Sequence, residues 1–499
     1  MAKKLMFQGT GSSVGKSIIV AAMCRILNNR GIRVAPFKSQ NMSLNAYITE
    51  DGKEMGRAQA VQAECARIKP KVQMNPILLK PTSDVGSQVI LNGSVYKNMA
   101  AGDYFSIKET LLPEIKKAYD ELALEYEAIV IEGAGSPAEI NLRSRDVVNM
   151  GLAELIDSDV ILIGDVDKGG VFAALYGTFL LLSESERDRV KGFIINKFRG
   201  DVTLLLPGVD ALEKLIDRPC LGVIPFIEAL KVDDEDSVTE RFGQVSSKAV
   251  NIGVVKLPYM SNFTDFSVFD GEGDVGLEYL QDFEQIENMD LVIIPGSKNT
   301  LSDMKFLGES KFSQALYRAH RKGIPIIGIC GGYQMLGHWI EDRDQIESKL
   351  ERVNGLGLLD VYTYMTKIKT TQQSKGKIQS DFLGASVEGE HIKGYEIHMG
   401  KTEFLEQSVS PFLVTSQGTT DGAVNEAGNI MGTYFHGVFD NDTFRNQLLN
   451  ALRVKKGQAQ SKSDAYTYEA FKQTEYDRLA EHVEKHLNMD KVLEIMDFL

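Results

Sequence analysis

Lys16 and Ser17 end a glycine-rich turn that could bind the phosphates of a nucleotide. The turn covers residues 8–17, Gln-Gly-Thr-Gly-Ser-Ser-Val-Gly-Lys-Ser, between a short apolar strand and an apolar helix. Backbone N–H groups in such a turn face one point, where the helix dipole also favours negative charge. The lysine can reach the outer phosphates, and the serine hydroxyl can bind Mg²⁺. The sequence therefore predicts ATP or GTP binding by Gly11, Ser12, Ser13, Val14, Gly15, Lys16 and Ser17.

Cys330 lies in a context typical of a catalytic nucleophile. Residues 326–337 read Ile-Ile-Gly-Ile-Cys-Gly-Gly-Tyr-Gln-Met-Leu-Gly, an apolar strand followed at once by glycines and a helix. Glycines on both sides permit the sharp turn that lifts a nucleophile above a sheet. The helix that follows favours the thiolate, and the backbone N–H of Gly331 can stabilise an oxyanion. A second oxyanion donor is predicted at Gly296, in the turn at residues 295–298.

A cysteine nucleophile needs a general base, and His436 is the predicted one. It follows a predicted strand in the sequence Gly-Thr-Tyr-Phe-His-Gly-Val-Phe, residues 432–439. Nucleophile and base are commonly distant in sequence and meet only in the fold. His398 is a rival base or a residue of a substrate loop.

The elements that must position these residues belong to an α/β protein. Short apolar runs alternate with amphipathic helical stretches, which predicts mostly parallel sheets. Helices are predicted at residues 54–68 and 111–126, with an amphipathic tail helix that places Leu479, Val483, Leu487 and Val492 on one face. Strands are predicted at residues 32–37, 128–131, 160–163, 192–195 and 221–224, and then at 251–256, 290–294, 324–329, 412–415 and 429–433.

Length and composition limit the classes of function. A chain of 499 residues is long enough for two to four domains, and 43% hydrophobic residues is ordinary for a globular protein. The net charge of −14 argues against nucleic-acid binding, and no apolar run reaches membrane-spanning length. Four scattered cysteines indicate neither a disulfide framework nor a zinc site. With no apolar leader after the N-terminal Met-Ala-Lys-Lys, a cytoplasmic protein without a membrane partner is expected.

Four segments are predicted. They are a P-loop domain at residues 1–232, a charged polar linker at 233–250, a second α/β domain at 251–455 and a polar, partly helical tail at 456–499. The oligomeric state is left open.

The block around Cys330 resembles class I glutamine amidotransferases. In that family the cysteine attacks the glutamine side-chain amide, forms a thioester and releases ammonia. The family usually has a glutamate two residues after the histidine, where this chain has Val438. That departure resembles the subgroup of cobyric acid synthases and cobyrinic acid diamide synthases. The third member of the triad is left unassigned.

The N-terminal half resembles dethiobiotin synthetase, an ATP-dependent enzyme that activates carboxylates. The resemblance implies that Glu132, in Val-Ile-Glu-Gly-Ala-Gly at residues 130–135, binds the metal ion together with Ser17. It also implies that Asn196 and Lys197 contact the nucleotide base. The expected fold is therefore a P-loop, dethiobiotin synthetase-like parallel-sheet domain followed by a class I glutamine amidotransferase α/β domain.

Several longer blocks resemble the cobyric acid synthase family in particular. They lie at residues 38–45, 74–81, 165–172, 196–200, 394–400 and 476–480. The resemblance implies ATP and Mg²⁺ as cofactors, glutamine as nitrogen donor and a corrinoid, adenosylcobyrinic acid a,c-diamide, as substrate. Four of its carboxylates, b, d, e and g, would be amidated. Candidate residues for the corrinoid or phosphoryl site are Lys38, Lys80, Asp165 and Lys168.

Three other interpretations stay open at the level of sequence. One is a cobyrinic acid a,c-diamide synthase, which amidates different carboxylates. Another is a P-loop partitioning-type switch without a product, although such proteins usually carry a second lysine where this chain has Gly9, Thr10 and Gly11. The third keeps the synthetase but has a degenerate glutaminase that takes ammonia from solution.

Overall fold

The protein is described here by a computed structural model that covers residues 2–83, 86–233, 248–385, 387–405, 408–461 and 467–499. The chain divides into two compact units. The first contains Met1–Ser43, Glu54–Glu235 and Lys472–Leu499, and the second contains Leu44–Lys53 and Asp236–Phe471. Residues 234–247 of the predicted linker lie outside the described residues. The two units thus exchange short segments, a feature absent from the predicted four-segment division, which remains a prediction.

The strands up to residue 225 are short, and three of the six in the central sheet are completely buried. In chain order they are β1 (Lys3–Gly9), β2 (Val34–Phe37), β3 (Gln40–Met42), β4 (Ala46–Ile48), β5 (Glu54–Gly56), β6 (Ile77–Ser83), β7 (Gly86–Leu91), β8 (Ser94–Ala100), β9 (Ala128–Glu132), β10 (Val160–Asp165), β11 (Val190–Phe198) and β12 (Cys220–Pro225).

The first unit is built on a parallel sheet with the strand order β12-β11-β10-β1-β9-β2. Every residue of β9 and β10 is buried, as expected for strands covered on both faces. A smaller sheet, β3-β6-β7-β8, is antiparallel except for its first pair. The carboxyl ends of β1, β9, β10 and β11 lie at one edge of the central sheet, where ligands bind in open α/β folds.

The helices of the chain through residue 216 connect these strands. They are α1 (Lys16–Asn29), α2 (Arg57–Cys65), α3 (Ala101–Ile107), α4 (Leu112–Glu125), α5 (Met150–Leu155), α6 (Val171–Leu181), α7 (Glu184–Arg189) and α8 (Leu206–Ile216), with 3₁₀ turns at Val72–Met74, Lys108–Leu111, Arg143–Arg145 and Val202–Leu204.

The helix predicted at residues 54–68 begins later than its pattern indicated. Glu54–Gly56 is the strand β5, and α2 starts at Arg57. The side chain of Glu54 is buried and accepts a hydrogen bond from Lys80 Nζ at 2.8 Å. This ion pair and the hydrogen bond from the Gly56 N–H to Asn75 Oδ1 at 3.0 Å hold the segment extended.

The second unit carries the remaining strands. They are β13 (Val250–Val255), β14 (Met260–Ser261), β15 (Val275–Leu280), β16 (Leu291–Ile294), β17 (Gly296–Ser297), β18 (Ile326–Ile329), β19 (Trp339–Glu341), β20 (Arg352–Asn354), β21 (Val361–Ile378), β22 (His391–Phe404), β23 (Val409–Ser410), β24 (Leu413–Thr415), β25 (Thr420–Asp421), β26 (Ala423–Asn425) and β27 (Ile430–Thr433).

These strands form a seven-stranded sheet in the order β15-β13-β16-β18-β27-β26-β23, in which the first five are parallel. A second sheet in the order β20-β19-β21-β24-β25 contains the long antiparallel pair β21 and β22. The strand predicted at residues 412–415 belongs to this second sheet as β24. Sequence analysis did not predict β21 and β22, because few of their residues are apolar over their middle part.

The remaining helices are α9 (Thr300–Glu309), α10 (Phe312–Arg321), α11 (Gly331–Leu336), α12 (Asp442–Lys455), α13 (Tyr468–His486) and α14 (Met489–Ile495), with 3₁₀ turns at Phe263–Gly271, Phe283–Asn288 and Val438–Asp440.

The predicted tail helix is confirmed as α13 and α14. Leu479, Val483, Leu487 and Val492 are buried in the hydrophobic core of the first unit. The buried guanidinium of Arg25 on α1 also forms an ion pair with Asp477 at 2.7 Å. The C-terminal helices are therefore part of the core of the first unit. Among the described residues, no helix has the length and apolar character needed to cross a membrane.

Candidate active sites

The predicted phosphate-binding turn connects β1 to α1. Gly15 has a φ of 93°, a left-handed conformation that glycine adopts without strain, and Lys16 begins the helix. Lys16 Nζ donates hydrogen bonds to the carbonyl oxygens of Gly11 at 2.8 Å and Gly135 at 3.2 Å. The lysine ammonium is thereby held between the turn and the loop that follows β9. Residues 11–15 thus form a turn, and the ammonium of Lys16, the first residue of α1, folds back onto it.

Two side chains from the end of β11 support this turn from the neighbouring part of the sheet. Asn196 Nδ2 donates to the carbonyl of Val14 at 2.9 Å, and Lys197 Nζ donates to the carbonyl of Ser13 at 2.7 Å. Lys197 Nζ also lies 3.4 Å from Asp165 Oδ2 at the end of β10. The structure therefore brings Asn196, Lys197 and Asp165 to the nucleotide turn.

Glu132 ends β9 next to Ser17, and its carboxylate is 1% exposed. Ser17 Oγ and Lys38 Nζ each donate to Glu132 Oε1 at 2.8 Å, and Gln62 Nε2 donates to Oε2 at 2.6 Å. Burial acts to raise the pKa of this carboxyl group. The charge of Lys38 and the hydrogen bonds from Lys38, Gln62 and Ser17 outweigh burial, so the pKa lies below its ordinary value. Glu132 is consequently a buried, ionised carboxylate.

The residues present fit a magnesium ion. Ser17 and Glu132 offer a hydroxyl and a carboxylate oxygen side by side, and Mg²⁺ prefers such hard ligands together with water and substrate phosphates. The buried side-chain oxygens of Gln8 and Gln62 accept no hydrogen bond from other described residues. No group of three or more acidic, histidine or cysteine ligands occurs within the described ranges. A metal ion shared with phosphate needs no such group.

The other candidates for the substrate site are in different environments. Lys38 and Lys80 are both buried and paired, with Glu132 and Glu54 respectively. Lys168 is exposed, in the turn that precedes α6. Lys38 therefore lies at the nucleotide turn, whereas Lys80 forms an ion pair between β6 and β5.

In the second unit, Cys330 stands between β18 and α11 in the elbow that the sequence predicted. Its φ of 51° and ψ of −106° form a strained conformation for a residue other than glycine. The elbow is tight, because a Cβ atom on Gly331 would lie 2.9 Å from the backbone nitrogen of Ser297. Only glycine at position 331 permits this close approach between the elbow at Cys330 and the turn at residues 295–298.

His436 follows β27, which pairs in parallel with β18. Cys330 and His436 thus follow the carboxyl ends of two adjacent parallel strands, β18 and β27. His436 Nδ1 donates to Asp265 Oδ2 at 2.6 Å, and Asp265 Oδ1 accepts the N–H of Gly437 at 3.1 Å. The ring of His436 is fully buried and stacks on Tyr395, with 5.1 Å between ring centroids.

The electrostatic environment of His436 favours its charged form. Burial acts to lower its pKa, but the carboxylate of Asp265 and a hydrogen bond with the Cys330 side chain outweigh burial and raise the pKa to about 10. An imidazolium next to a thiol favours the thiolate, which is the nucleophilic form of cysteine.

The oxyanion donors predicted at Gly296 and Gly331 lie next to this pair. A Cβ atom on Gly296 would be 3.2 Å from Cε1 of His436. Gly331 is the first residue of α11, so its N–H is one of those left without a partner inside the helix. The structure thus brings Gly296, Gly331, Cys330 and His436 together.

His398, the rival base, has both ring nitrogens near acceptors. Nδ1 lies 2.8 Å from the carbonyl of Gly400, and Nε2 lies 3.2 Å from Glu396 Oε2. Its ring also stacks on Tyr434 at 3.8 Å between centroids. A histidine engaged in this way has no nitrogen available as a base, so the geometry favours His436.

Asp265 is the residue that sequence analysis missed. It lies in the 3₁₀ turn Phe263–Gly271, far along the sequence from Val438, where the family pattern places a carboxylate, but it reaches the same place in the fold by its hydrogen bond to the neighbouring Gly437. Asn262, which precedes this turn in the left-handed region, accepts the N–H of Ala46 at 3.0 Å. Asn45 Oδ1 accepts the N–H of Phe263 at 3.0 Å. The segment Leu44–Lys53 therefore contacts the turn that carries Asp265, and no local pattern reveals this.

The four cysteines should differ strongly in their reactivity. Burial raises the pKa values of Cys24 and Cys65, both fully buried, and raises that of Cys220 to about 11. We expect iodoacetamide at neutral pH to alkylate Cys330 first, because it stands in the nucleophile elbow and interacts with the positively charged ring of His436. Peptide mass spectrometry after brief labelling would measure this, with His436→Gln as the variant that should label slowly. Faster labelling of Cys220 than of Cys330 would contradict the thiolate–imidazolium pair.

Comparison with known families agrees with the two-domain fold. Residues 5–239 match the CobQ/CobB/MinD/ParA nucleotide binding domain, and residues 251–444 match the CobB/CobQ-like glutamine amidotransferase domain. The predicted fold class, a P-loop domain followed by a glutamine amidotransferase domain, is thereby confirmed. So is the prediction of a glutamine-hydrolysing amidotransferase.

Full-length relatives extend this agreement. The chain is 49% identical to the cobyric acid synthase of Thermoanaerobacter sp. (strain X514), with 100% of this chain and 99% of the relative covered. It is 49% identical to that of Clostridium botulinum (strain Okra / Type B1), with 99% of each chain covered. It is also 49% identical to the cobyric acid synthase of Clostridium acetobutylicum, with 99% and 98% covered. The chain belongs to the cobyric acid synthase family.

Proposed function

We propose that the chain hydrolyses glutamine at Cys330 and uses the ammonia, with ATP, to amidate the b, d, e and g carboxylates of adenosylcobyrinic acid a,c-diamide, which yields adenosylcobyric acid. The observation that carries the glutaminase part is the hydrogen bond from His436 to the buried carboxylate of Asp265, next to a cysteine in a nucleophile elbow. The corrinoid substrate is supported by the names of the relatives and by the sequence blocks that resemble this family.

In the glutaminase reaction, Asp265 holds the His436 ring so that its other nitrogen faces Cys330. The thiolate attacks the amide carbon of glutamine, and the N–H groups of Gly331 and Gly296 stabilise the resulting oxyanion. His436 gives its proton to the leaving nitrogen, and ammonia departs while a thioester forms. His436 then takes a proton from water, whose oxygen attacks the thioester carbon. The bond from carbon to sulfur breaks, glutamic acid leaves and ionises to glutamate, and the Cys330 thiolate beside the His436 imidazolium is restored.

In the synthetase reaction, a corrinoid carboxylate oxygen attacks the γ-phosphorus of ATP, and ADP leaves. The acyl phosphate so formed has a good leaving group, which carboxylate oxygen alone lacks. Ammonia attacks the acyl carbon, inorganic phosphate departs, and loss of a proton gives the amide. Lys16 and the turn at residues 11–17 hold the phosphates. Ser17 and Glu132 would hold Mg²⁺, which neutralises phosphate charge when bound.

Mass spectrometry of the corrinoid tests this proposal. Adenosylcobyrinic acid a,c-diamide is incubated with ATP, Mg²⁺ and either glutamine or ammonium, using the wild type and Cys330→Ala. We expect the wild type to convert carboxyl groups of the corrinoid to carboxamides with either nitrogen source. The variant should do so only with ammonium. The reason is that Cys330 serves glutamine hydrolysis alone.

Two controls separate the alternatives. Cys220→Ala, which changes a cysteine outside both sites, should behave as the wild type. Conversion of cobyrinic acid at its a and c carboxylates, with none of the diamide, would indicate a cobyrinic acid a,c-diamide synthase. Equal activity of the wild type and Cys330→Ala with glutamine would contradict the role of Cys330, and no mass change with either nitrogen source would contradict the corrinoid assignment.

A further inference from the structure

The first unit contains a cavity of about 320 Å³ that the reactions described above do not explain. It is bounded by the small sheet β3-β6-β7-β8, by α3 with the 3₁₀ turn Lys108–Leu111, and by the loop at residues 134–149 that follows β9. All of its lining residues belong to this one unit. None of Lys38, Lys80, Asp165 and Lys168 is among the described residues that line it.

The cavity adjoins the place where Lys16 would meet phosphate. Gly135 lines the cavity, and its carbonyl oxygen accepts the hydrogen bond from Lys16 Nζ at 3.2 Å. Ala134 also lines the cavity and is fixed by Asn149, whose Nδ2 donates to the Ala134 carbonyl at 2.6 Å. Gly135 is therefore the residue that separates a group in the cavity from the ammonium of Lys16. Transfer of a phosphoryl group requires such proximity between the attacking oxygen and the phosphate.

The walls combine apolar surface with a few charges. Met42 and Leu142 line the cavity and are 57% and 38% exposed, so they form an apolar rim open to solvent. Large exposed apolar side chains around a concave site are typical of ligand-binding surfaces.

Lys108 is the buried cation of this cavity. It is 6% exposed, and burial lowers its pKa, an effect that the charge of Asp146 partly offsets. The carboxylate of Asp146 accepts the backbone N–H groups of Val148, Asn149 and Gly151. A ligand carboxylate would provide Lys108 with a strong, charge-assisted hydrogen bond.

We propose that this cavity binds the edge of the corrinoid that carries the carboxylate to be phosphorylated, with Lys108 binding an acidic or amide arm of the ring and with Met42 and Leu142 packing against its apolar edge. This inference rests on the proposed function. The volume of the cavity is small compared with a corrin ring, so the cavity receives one edge and its arms while the rest of the ring contacts the exposed rim. The block at residues 38–45 thereby gains a role, because Gln40 and Met42 line the cavity.

Equilibrium dialysis of the full chain against cobyrinic acid a,c-diamide, followed by the visible absorbance of the corrinoid, tests the assignment. Leu142→Asp places a negative charge on the rim, and Lys108→Met removes the buried cation with little change in volume. We expect each variant to bind the corrinoid at least about tenfold more weakly than the wild type. Affinity for a non-hydrolysable ATP analogue and glutamine hydrolysis at Cys330 should stay unchanged.

Two matched controls lie on α4, outside the cavity. Leu124→Asp changes a leucine that is 89% exposed, and Lys116→Met removes an exposed lysine that pairs with Asp120. Corrinoid affinities of the two cavity variants within about twofold of these controls, while the wild type binds and amidates the corrinoid, would overturn the cavity assignment alone. Failure of the wild type to bind or amidate the corrinoid would overturn the proposed function and this inference with it.

Discussion

Asp265→Asn is expected to lower glutamine-dependent amidation by about 10³- to 10⁴-fold while ammonium-dependent amidation stays close to that of the wild type. The asparagine has the shape of the aspartate, but it has no charge with which to stabilise the imidazolium of His436. Its amide can also present an N–H donor where Asp265 presents an acceptor to Nδ1 at 2.6 Å. That donor would favour the tautomer of His436 in which Nδ1 carries no proton. Steady-state kcat/KM values with glutamine and with ammonium measure this difference directly.

The control for this experiment is Asp270→Asn, which changes another aspartate of the same 3₁₀ turn, Phe263–Gly271, without altering the residue that contacts His436. It should keep glutamine-dependent activity near that of the wild type. If Asp265→Asn retained a glutamine kcat/KM within about twofold of the wild type, the carboxylate would not be the third member of the site.

The ion pair of His436 with Asp265 predicts how the free energy of unfolding depends on pH. The pKa of His436 is raised from 6.5 to about 10 in the folded chain. The stabilisation from this group is complete below the unfolded value of 6.5 and is lost as the pH rises through about 10. Unfolding of the wild type should therefore become easier across this interval, and Asp265→Asn should show a smaller change. Urea unfolding at several pH values measures this.

Glu132→Gln is expected to reduce ATP-dependent amidation with either nitrogen source by about 10²- to 10³-fold. The substitution removes the charged oxygen that would bind Mg²⁺ next to Ser17. It also leaves the Lys38 ammonium, 8% exposed, without its carboxylate at 2.8 Å. Loss of one partner of a buried pair costs about 3–5 kcal/mol of folding free energy. Amidation assays over a range of Mg²⁺ concentrations and calorimetric unfolding measure the two effects separately.

Two further variants distinguish chemistry from stability. Glu54→Gln breaks a second buried pair of the same unit, in which Lys80 lies 2.8 Å from the carboxylate, and should lower stability with little effect on the Mg²⁺ dependence. Glu132→Gln combined with Lys38→Met removes both charges, so most of the stability should return while activity stays low. Recovery of amidation in this double variant would exclude Glu132 as a metal ligand.

Sequence reasoning found the residues whose chemistry depends on a local pattern. Residues 8–17 contain strand, turn and helix within one short window, and so do residues 326–337 around Cys330. In both cases the neighbouring residues dictate the backbone that the chemistry needs. His436 was found because it follows a strand, and parallel strands end at a common edge of the sheet.

What sequence reasoning missed depends on tertiary contacts. Asp265 is an ordinary aspartate in a turn, and only the packing of that turn against the end of β27 gives it a partner in His436. Lys108 likewise becomes notable only because burial and the loop at residues 134–149 surround it. The strands β21 and β22 are stabilised by hydrogen bonds to each other over a long antiparallel ladder, so they need little apolar periodicity.

The exchange of short segments between the two units constrains how such a gene can change. A break anywhere in residues 234–247 would separate α13 and α14 from the core that they complete in the first unit. It would also take Asn45 and Ala46 away from the turn that holds Asp265. Recombination could therefore not replace the amidotransferase unit with a foreign glutaminase without rebuilding both units at once. For the same reason, a lineage could not encode this unit as an independent subunit without rebuilding both.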